Sequence, residues 1–155
     1  MLKELFEVFK GGESSLSQQK LPVVLCFVVC DGELLLLRRG YAVEFYKGWW
    51  NVVAGQWDGK SSLQESVYRK LAEEVHIAPD LVKSIKVGTP YSFYDFIIEK
   101  DWCMHPVLVE LKEKPAIRLT EKHQSFRWVK PRDVKLFDVI PRISDALDQF
   151  RVLRS

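Results

Sequence analysis

The chain has 155 residues, of which 47% are hydrophobic and 28% charged, a composition that predicts one globular domain with a buried core. Its net charge of +2 is too small to argue for a nucleic-acid partner, and no apolar run approaches the roughly 20 residues that span a bilayer. No basic-then-apolar leader opens the chain, and the three cysteines lie in apolar surroundings. We therefore expect a cytoplasmic protein with reduced thiols.

The first 20 residues differ in character from the rest. Residues 11–20 are rich in Gly, Ser and Gln, which predicts an exposed linker. Large apolar side chains recur at helical spacing before it: Leu2, Leu5, Phe6 and Phe9. They predict a short helix that either docks on its own domain or forms a homodimer contact. We divide the chain into a helix and linker at 1–20 and a single domain at 21–155.

A β-hairpin is predicted next. Apolar runs over 21–30 and 33–38 flank Asp31-Gly32, and Asp-Gly between two such runs favours a tight hairpin turn. The second run ends in Arg38 and Arg39. Because a guanidinium group matches the geometry of phosphate oxygens, one of these arginines is a candidate phosphate contact; the alternative is a solvated charge.

A loop, a strand and a helix follow. The loop at 40–48 contains Tyr41, Phe45 and Tyr46, and residues 49–54 are predicted to form a strand. Ser61 or Ser62 is a natural N-cap for the helix. Apolar residues then recur every four positions, which places them on one buried helical face: Leu63, Val67, Leu71 and Val75. The remaining helix surface is charged: Glu65, Arg69, Lys70, Glu73 and Glu74.

The rest of the chain predicts strands followed by helices. Strands are expected over 81–87, 91–99, 102–111 and 125–129, the first with a helical turn before it. Pro106 indicates an edge strand or the first residues of a strand. A helix is expected to begin at 131–133, and an amphipathic helix over 141–153 closes the chain. This order predicts the α+β class.

The stretch from Gly55 to Ile77 resembles the Nudix box, G-x5-E-x7-R-E-U-x-E-E-x-G-U, where U is a bulky aliphatic residue. Nudix proteins hydrolyse nucleoside diphosphates linked to another group. Residues 50–55 resemble the W-x-x-P-G-G segment of this family, and 123–129 (HQSFRWV) resembles H-x-E-Y-R-W-V. Six of the nine specified box positions agree: Gly55, Arg69, Leu71, Glu73, Glu74 and Ile77. The resemblance covers about 21–147 and implies an α/β/α layered fold, with a mixed sheet between helices.

Three box positions depart from the pattern. Ser61 stands in place of the first glutamate, Lys70 in place of the glutamate after the arginine, and His76 in place of the second glycine. In the family the first glutamate braces the arginine. Glu65 lies four residues before Arg69 and could serve as that brace instead.

The resemblance also implies site residues. Glu73 and Glu74 would be the catalytic and metal-binding residues, holding Mg²⁺ or Mn²⁺. The substrate would lie in a cleft between the box helix and the sheet, bordered by the 40–48 loop, whose aromatic rings could stack on a base or cover the core. The implied substrate contacts are Arg38, Arg39, Tyr46 and Trp50.

A further acid is expected on the far side of the metal. Ser125 stands where many relatives carry that glutamate, which leaves Glu110 and Glu121 as candidates. His123 could act as a base, although a lone histidine near a strand start is more often simply hydrogen bonded.

Lys70 decides how active the chain is expected to be. It lies four residues before Glu74, hence beside it on a helix, and changes a local charge from −1 to +1. We therefore expect weak Mg²⁺ binding and little or no hydrolysis. Two function classes stay open: a weakened pyrophosphohydrolase of a nucleotide or nucleoside diphosphate derivative, and a non-catalytic module that binds a nucleotide or a protein. A structural module with aromatic-rich contact strands is a third.

Overall fold

The computed structural model describes residues 20–150. Eight strands, two α-helices and two short 3-10 helices, at Pro79–Leu81 and Pro131–Leu136, lie within that range. The strands and α-helices follow in the order β1 (Leu21–Cys30), β2 (Glu33–Arg39), β3 (Trp50–Asn51), β4 (Val53–Gln56), α1 (Leu63–Val75), β5 (Val82–Val87), β6 (Tyr91–Asp95), β7 (Lys100–Leu111), β8 (His123–Val129) and α2 (Ile143–Leu147).

The strands form one mixed sheet in the order β3-β2-β1-β7-β5, with β4 paired to β1, β6 to β7 and β8 to β2. β1 and β7 run parallel from Leu21↔Trp102 to Val29↔Glu110, and the other strand pairs are antiparallel. Helix α1 packs on one face of the sheet and α2 on the other. The α+β class with a mixed sheet is confirmed.

The predicted hairpin is confirmed between β1 and β2. Cys30 pairs with Glu33, and the two turn residues, Asp31 and Gly32, have φ of 52° and 76°. Two left-handed residues in a two-residue turn match the twist of the flanking strands, which is why Asp-Gly is favoured there.

Side chains on β2 alternate between the two faces of the sheet. Leu34 and Leu36 join the apolar core on the α2 face, whereas Leu35 and Leu37 join the core beneath α1. Because successive strand residues point to opposite faces, Arg38 continues the α2 side and Arg39 the α1 side. The two adjacent arginines therefore serve different faces.

Two strand predictions are wrong in detail. β6 ends at Asp95 rather than at 99, because Asp95 Oδ1 accepts the backbone N–H groups of Ile97 and Ile98 and turns the chain. Pro106 lies in a central strand, between the part of β7 that pairs with β6 and the part that pairs with β5. Its carbonyl accepts from Gly88 N–H at 2.8 Å, so its missing N–H faces the gap between those two partners.

Parts of the terminal predictions lie outside the described residues. Of the closing helix, α2 spans Ile143–Leu147, and Phe150 beyond it is buried against Phe27. Residues 151–153 fall outside the range. The same holds for the N-terminal helix and for the linker before residue 20, so their docking and the homodimer contact stay predictions.

Candidate active site

Helix α1 begins and ends as its sequence predicts. Ser62 is the N-cap, and its Oγ accepts the backbone N–H of Glu65 at 3.1 Å. Val67, Leu71 and Val75 are fully buried under the sheet, and Leu63 is half-buried. His76 ends the helix with φ of 59°, the left-handed conformation that a glycine usually supplies, and its Nδ1 lies 3.0 Å from Arg118 O.

Lys70 lies flat against the sheet instead of extending into solvent. Its side chain is 16% exposed and crosses the backbone of Gly55, where an added Cβ would be 2.5 Å from Cδ and 2.9 Å from Nζ. Its Nζ is 3.6 Å from Glu73 Oε2, and its positive charge acts on both Glu74 and the Cys26 thiol. Gly55 therefore provides the space that seats an ammonium group beside the paired glutamates.

Glu74 is the buried member of that pair. It is 5% exposed, its Oε1 has no hydrogen-bond partner within residues 20–150, and its Oε2 is 3.9 Å from Lys122 Nζ. Burial raises the pKa of Glu74, although Lys122 and Lys70 both act to lower it. Glu73, by contrast, has half of its side chain exposed.

Arg39 approaches Glu74 from β2. It is 1% exposed, its Nε donates to Phe45 O at 3.0 Å, and its Nη2 has no partner in the described part of the chain. Burial lowers the pKa of Arg39 to about 10, and Glu74 opposes that shift. The guanidinium is therefore still charged at neutral pH, with one donor nitrogen unused.

His123 faces the same side, because it pairs with Arg39 across β8 and β2. Its Nδ1 is buried without a hydrogen-bond partner among residues 20–150. Burial, with help from the charges of Arg39 and Lys122, lowers the pKa of His123 to about 4. The imidazole is therefore neutral at physiological pH, and its environment disfavours taking up a proton.

Comparison with known proteins identifies the family of the chain. The family model for the NUDIX domain matches residues 19–150. The chain belongs to the Nudix family. Nudix proteins act on nucleoside diphosphate derivatives and generally use divalent metal ions such as Mg²⁺. No curated protein matches this chain.

Solved structures share the fold at low sequence identity. The NUDIX domain of Shewanella oneidensis NrtR, solved with ADP ribose, is 18% identical with a TM-score of 0.72, covering 96% of this chain and 97% of that one. A MutT protein from Methanosarcina mazei Go1 is 22% identical with a TM-score of 0.70, covering 90% of this chain and 99% of that one. A C. elegans Ap4A hydrolase is 15% identical with a TM-score of 0.68, covering 86% of this chain and 97% of that one.

Within residues 20–150 the metal ligands of a Nudix site are not assembled. Nowhere in residues 20–150 do three His, Cys, Asp or Glu side chains converge as a metal site requires. Lys70 holds the position of one carboxylate, and Lys122 lies beside the most buried one. Divalent ions such as Mg²⁺ are held by oxygen ligands that include carboxylates, and they are repelled by ammonium groups. The residues present therefore do not fit a divalent ion.

The candidate far-side acids do not complete the set. Glu110 pairs with Val29 near the hairpin turn, and its carboxylate meets Ser84 and Lys83. Arg39 and Glu74 lie at the other end of β2, roughly 17 Å away at about 3.4 Å per residue over five residues. Glu121 is exposed in the turn before β8. Within residues 20–150 neither acid forms a metal-binding cluster with Glu73 and Glu74.

The predicted substrate contacts divide between the two faces of the sheet. Arg39 lies on the α1 face. Arg38 lies on the α2 face, where its Nε donates to Gly48 O at 3.0 Å and its guanidinium sits 5.9 Å from the Trp50 ring. Tyr46 is buried on the same side, and its hydroxyl donates to Asp95 Oδ2 at 2.7 Å.

A small cavity of about 30 Å³ lies on the α2 face. Its walls carry aromatic rings, a methionine and buried polar groups: Tyr46, Phe93, Trp102, Met104, Asn51 and Asp95. On the opposite face, apolar side chains pack between α1 and the sheet. β4 connects the two sides, because Ala54 lines the cavity while the next residue, Gly55, seats Lys70.

The two residues expected to brace the box, Glu65 and Arg69, are both exposed. Arg69 is exposed, and no ion pair joins it to Glu65 in the described range. The loop before α1 is organised by Asp58, whose Oδ1 accepts from the N–H groups of Lys60 and Ser61. Sequence reasoning missed both Asp58 and Lys122, although an Asp two residues before a polar turn residue is a known turn former.

Proposed function

We propose that this Nudix domain binds a nucleoside diphosphate derivative and that its pyrophosphate hydrolysis is strongly reduced. The observation that carries the proposal is the seat of Lys70, with its Nζ 3.6 Å from Glu73 Oε2 and its stem across Gly55. Hydrolysis by this family needs metal-activated chemistry at these carboxylates. An ammonium held there raises the free energy of any dication that approaches.

The binding half of the proposal draws on the cavity. A cavity of about 30 Å³ lined by Tyr46, Phe93 and Trp102 offers flat apolar walls to a base, which enters only where these walls move apart. Asn51 and Asp95 supply polar groups in the same wall. The 40–48 loop joins this cavity to the cations, because Phe45 accepts from Arg39 while the ring of the next residue, Tyr46, lines the cavity.

Turnover and thermal stabilisation, measured together, test the proposal. ADP-ribose and Ap4A, named with two of the similar structures, are the first compounds to examine, each with Mg²⁺ and with Mn²⁺. We expect at least one nucleotide to raise Tm with its concentration, while product formation stays near background. Turnover within the ordinary enzymatic range of about 1–10³ s⁻¹ would refute the reduced activity. No stabilisation by any compound would refute the binding.

A matched pair of variants locates the ligand. Ala54→Leu blocks the cavity from β4, whereas Ala78→Leu makes the same change at an exposed position beyond α1. We expect Ala54→Leu to lose the ligand-induced rise in Tm and Ala78→Leu to keep it. Equal ligand stabilisation of the two variants would place the nucleotide elsewhere.

A further inference from the structure

We propose that Lys70, Lys122 and Arg39 act in place of the divalent cation, so that this site binds the diphosphate group of its ligand without metal. The inference rests on the proposed function for the identity of the ligand. It assigns to the departures from the box a role of their own, which is metal-independent recognition of a phosphate anion.

The formal charges around the two glutamates favour an anion. Lys70 Nζ is 3.6 Å from Glu73 Oε2, and Lys122 Nζ is 3.9 Å from Glu74 Oε2. Counting only residues 20–150, Arg39 and the two lysines face two carboxylates, so these five groups together carry one positive charge. With a glutamate at position 70, the same cluster would carry an excess of one negative charge and would need a metal before a diphosphate could approach.

The separation between Lys70 and Glu73 leaves donors for a ligand. A charge-assisted N–H···O bond is about 2.7–2.9 Å long, whereas this ammonium stands 3.6 Å from the carboxylate oxygen. Lys70 therefore neutralises Glu73 without giving it a hydrogen bond. Its N–H groups can then be donated to phosphate oxygens.

Arg39 provides the second and independent observation. It is 1% exposed, and its Nη2 has no hydrogen-bond partner in residues 20–150. A buried guanidinium nitrogen without a partner is rare in folded proteins, because the group loses water without replacement. A phosphate oxygen is the acceptor that a guanidinium fork recognises best. The register of β2 places this nitrogen on the same face as Glu74.

The seat of Lys70 is preorganised. Gly55 lacks the Cβ that would displace the Lys70 stem, and the side chain is 16% exposed, so it is already held in place before a ligand binds. An ordered cation loses less conformational entropy on binding than a free surface lysine would.

Calorimetric titration with inorganic pyrophosphate tests the inference, in excess EDTA and in excess Mg²⁺. We expect binding in EDTA at least as tight as in Mg²⁺. Lys70→Met keeps the apolar stem over Gly55 and removes the charge, which should weaken binding in EDTA about tenfold or more. Lys86→Met makes the same change on exposed β5 and should bind like the unmodified protein. Lys70→Arg restores the charge and should restore binding, which separates loss of charge from loss of fold.

Each contrary result has a defined meaning. If pyrophosphate binds only with Mg²⁺, or if Lys70→Met binds it unchanged in EDTA, the lysine only neutralises a carboxylate and the inference is wrong. A parallel titration with ADP-ribose separates the two proposals. ADP-ribose binding that requires Mg²⁺ overturns this inference and leaves nucleotide binding intact. Pyrophosphate binding in EDTA without any nucleotide binding supports this inference and refutes the proposed nucleotide binding.

Discussion

The side chain of Lys70 lies across the backbone of Gly55, and the two residues fit only because one has no Cβ. An added Cβ at Gly55 would be 2.5 Å from Lys70 Cδ, 2.6 Å from Cε and 2.9 Å from Nζ. Real Cβ contacts do not come that close, so any larger residue at 55 must move the lysine. The first glycine of the box therefore controls where the charge at position 70 sits.

Gly55→Ala should displace Lys70 with little change in stability. The atoms that clash belong to the far end of a flexible side chain, and Gly55 lies in β4 without positive φ. The free energy of unfolding should therefore change by less than about 1 kcal/mol, as measured by urea denaturation. Pyrophosphate affinity in EDTA should fall severalfold, as measured by calorimetry.

The Lys70→Ala background provides the control for this variant. There Gly55→Ala has no lysine to displace, so the two changes together should weaken binding no more than Lys70→Ala alone. Such non-additivity is the mark of residues that act through one contact. Additive losses would show that Gly55 acts on the ligand by another route.

The box helix could be predicted from sequence because its information is local. Val67, Leu71 and Val75 repeat at helical spacing, Ser62 caps the first turn, and the structure contains that helix. The sheet face of each arginine could also be predicted from the sequence. Arg39 lies two and four residues after Leu37 and Leu35 on β2, so strand alternation places all three side chains on the same face.

Contacts between distant segments could not be predicted in this way. Lys122 reaches Glu74 only because β8 pairs with β2, and nothing in either local sequence specifies that pairing. The cavity likewise depends on Tyr46 and Asp95 meeting across 49 residues. The early end of β6 had a local cause in Asp95, but the aromatic and β-branched run from Tyr91 onward favoured a longer strand.

Tyr46→Phe should destabilise the cavity wall. The Tyr46 hydroxyl donates to Asp95 Oδ2 at 2.7 Å, and both residues are buried. Its removal leaves a carboxylate oxygen without that donor, which costs about 1–3 kcal/mol. Urea denaturation measures the loss. Tyr41→Phe removes the same hydroxyl from a side chain that is 73% exposed and should change nothing. Equal midpoints for both variants would contradict a structural role for this hydrogen bond.

His123→Gln should reduce the loss of stability in mild acid. The folded-state pKa of His123 is lowered from 6.5 to about 4, because burial and nearby cations disfavour the imidazolium. Between these values the unfolded chain holds a proton that the folded chain does not. Stability that is fully present above pH 6.5 is therefore lost as the pH falls toward 4.

The size of the His123 effect follows from the shift. A change of this extent corresponds to at most about 3 kcal/mol, since one unit is about 1.4 kcal/mol. Urea unfolding near neutral pH and near pH ~5 measures it in both proteins. The glutamine variant should show the smaller difference between the two conditions. An identical difference would mean that His123 titrates alike in both states.

Lys70→Glu should convert the site to one that binds a divalent ion. The substitution moves one local charge by two units beside Glu73 and Glu74 and adds a carboxylate ligand. At about 4 Å and an effective dielectric near 20, each unit of charge is worth on the order of 4 kcal/mol before solvation offsets it. If only a quarter of that energy remains, two units of charge still contribute about 2 kcal/mol, which corresponds to more than a tenfold gain in metal affinity. Calorimetric titration with Mn²⁺ should show tighter metal binding by the variant and only weak binding by the unmodified protein.

Lys86→Glu supplies the matched control for that change. It makes the same substitution on the exposed surface of β5, which β1 and β7 separate from β2 in the sheet. It should therefore leave Mn²⁺ affinity as it is. Restored hydrolysis is a stricter requirement than restored metal binding, because neither Glu110 nor Glu121 is placed to supply a far-side carboxylate. We therefore expect the variant to gain metal affinity before it gains turnover. Micromolar Mg²⁺ binding by the unmodified protein would show that Lys70 does not control the site.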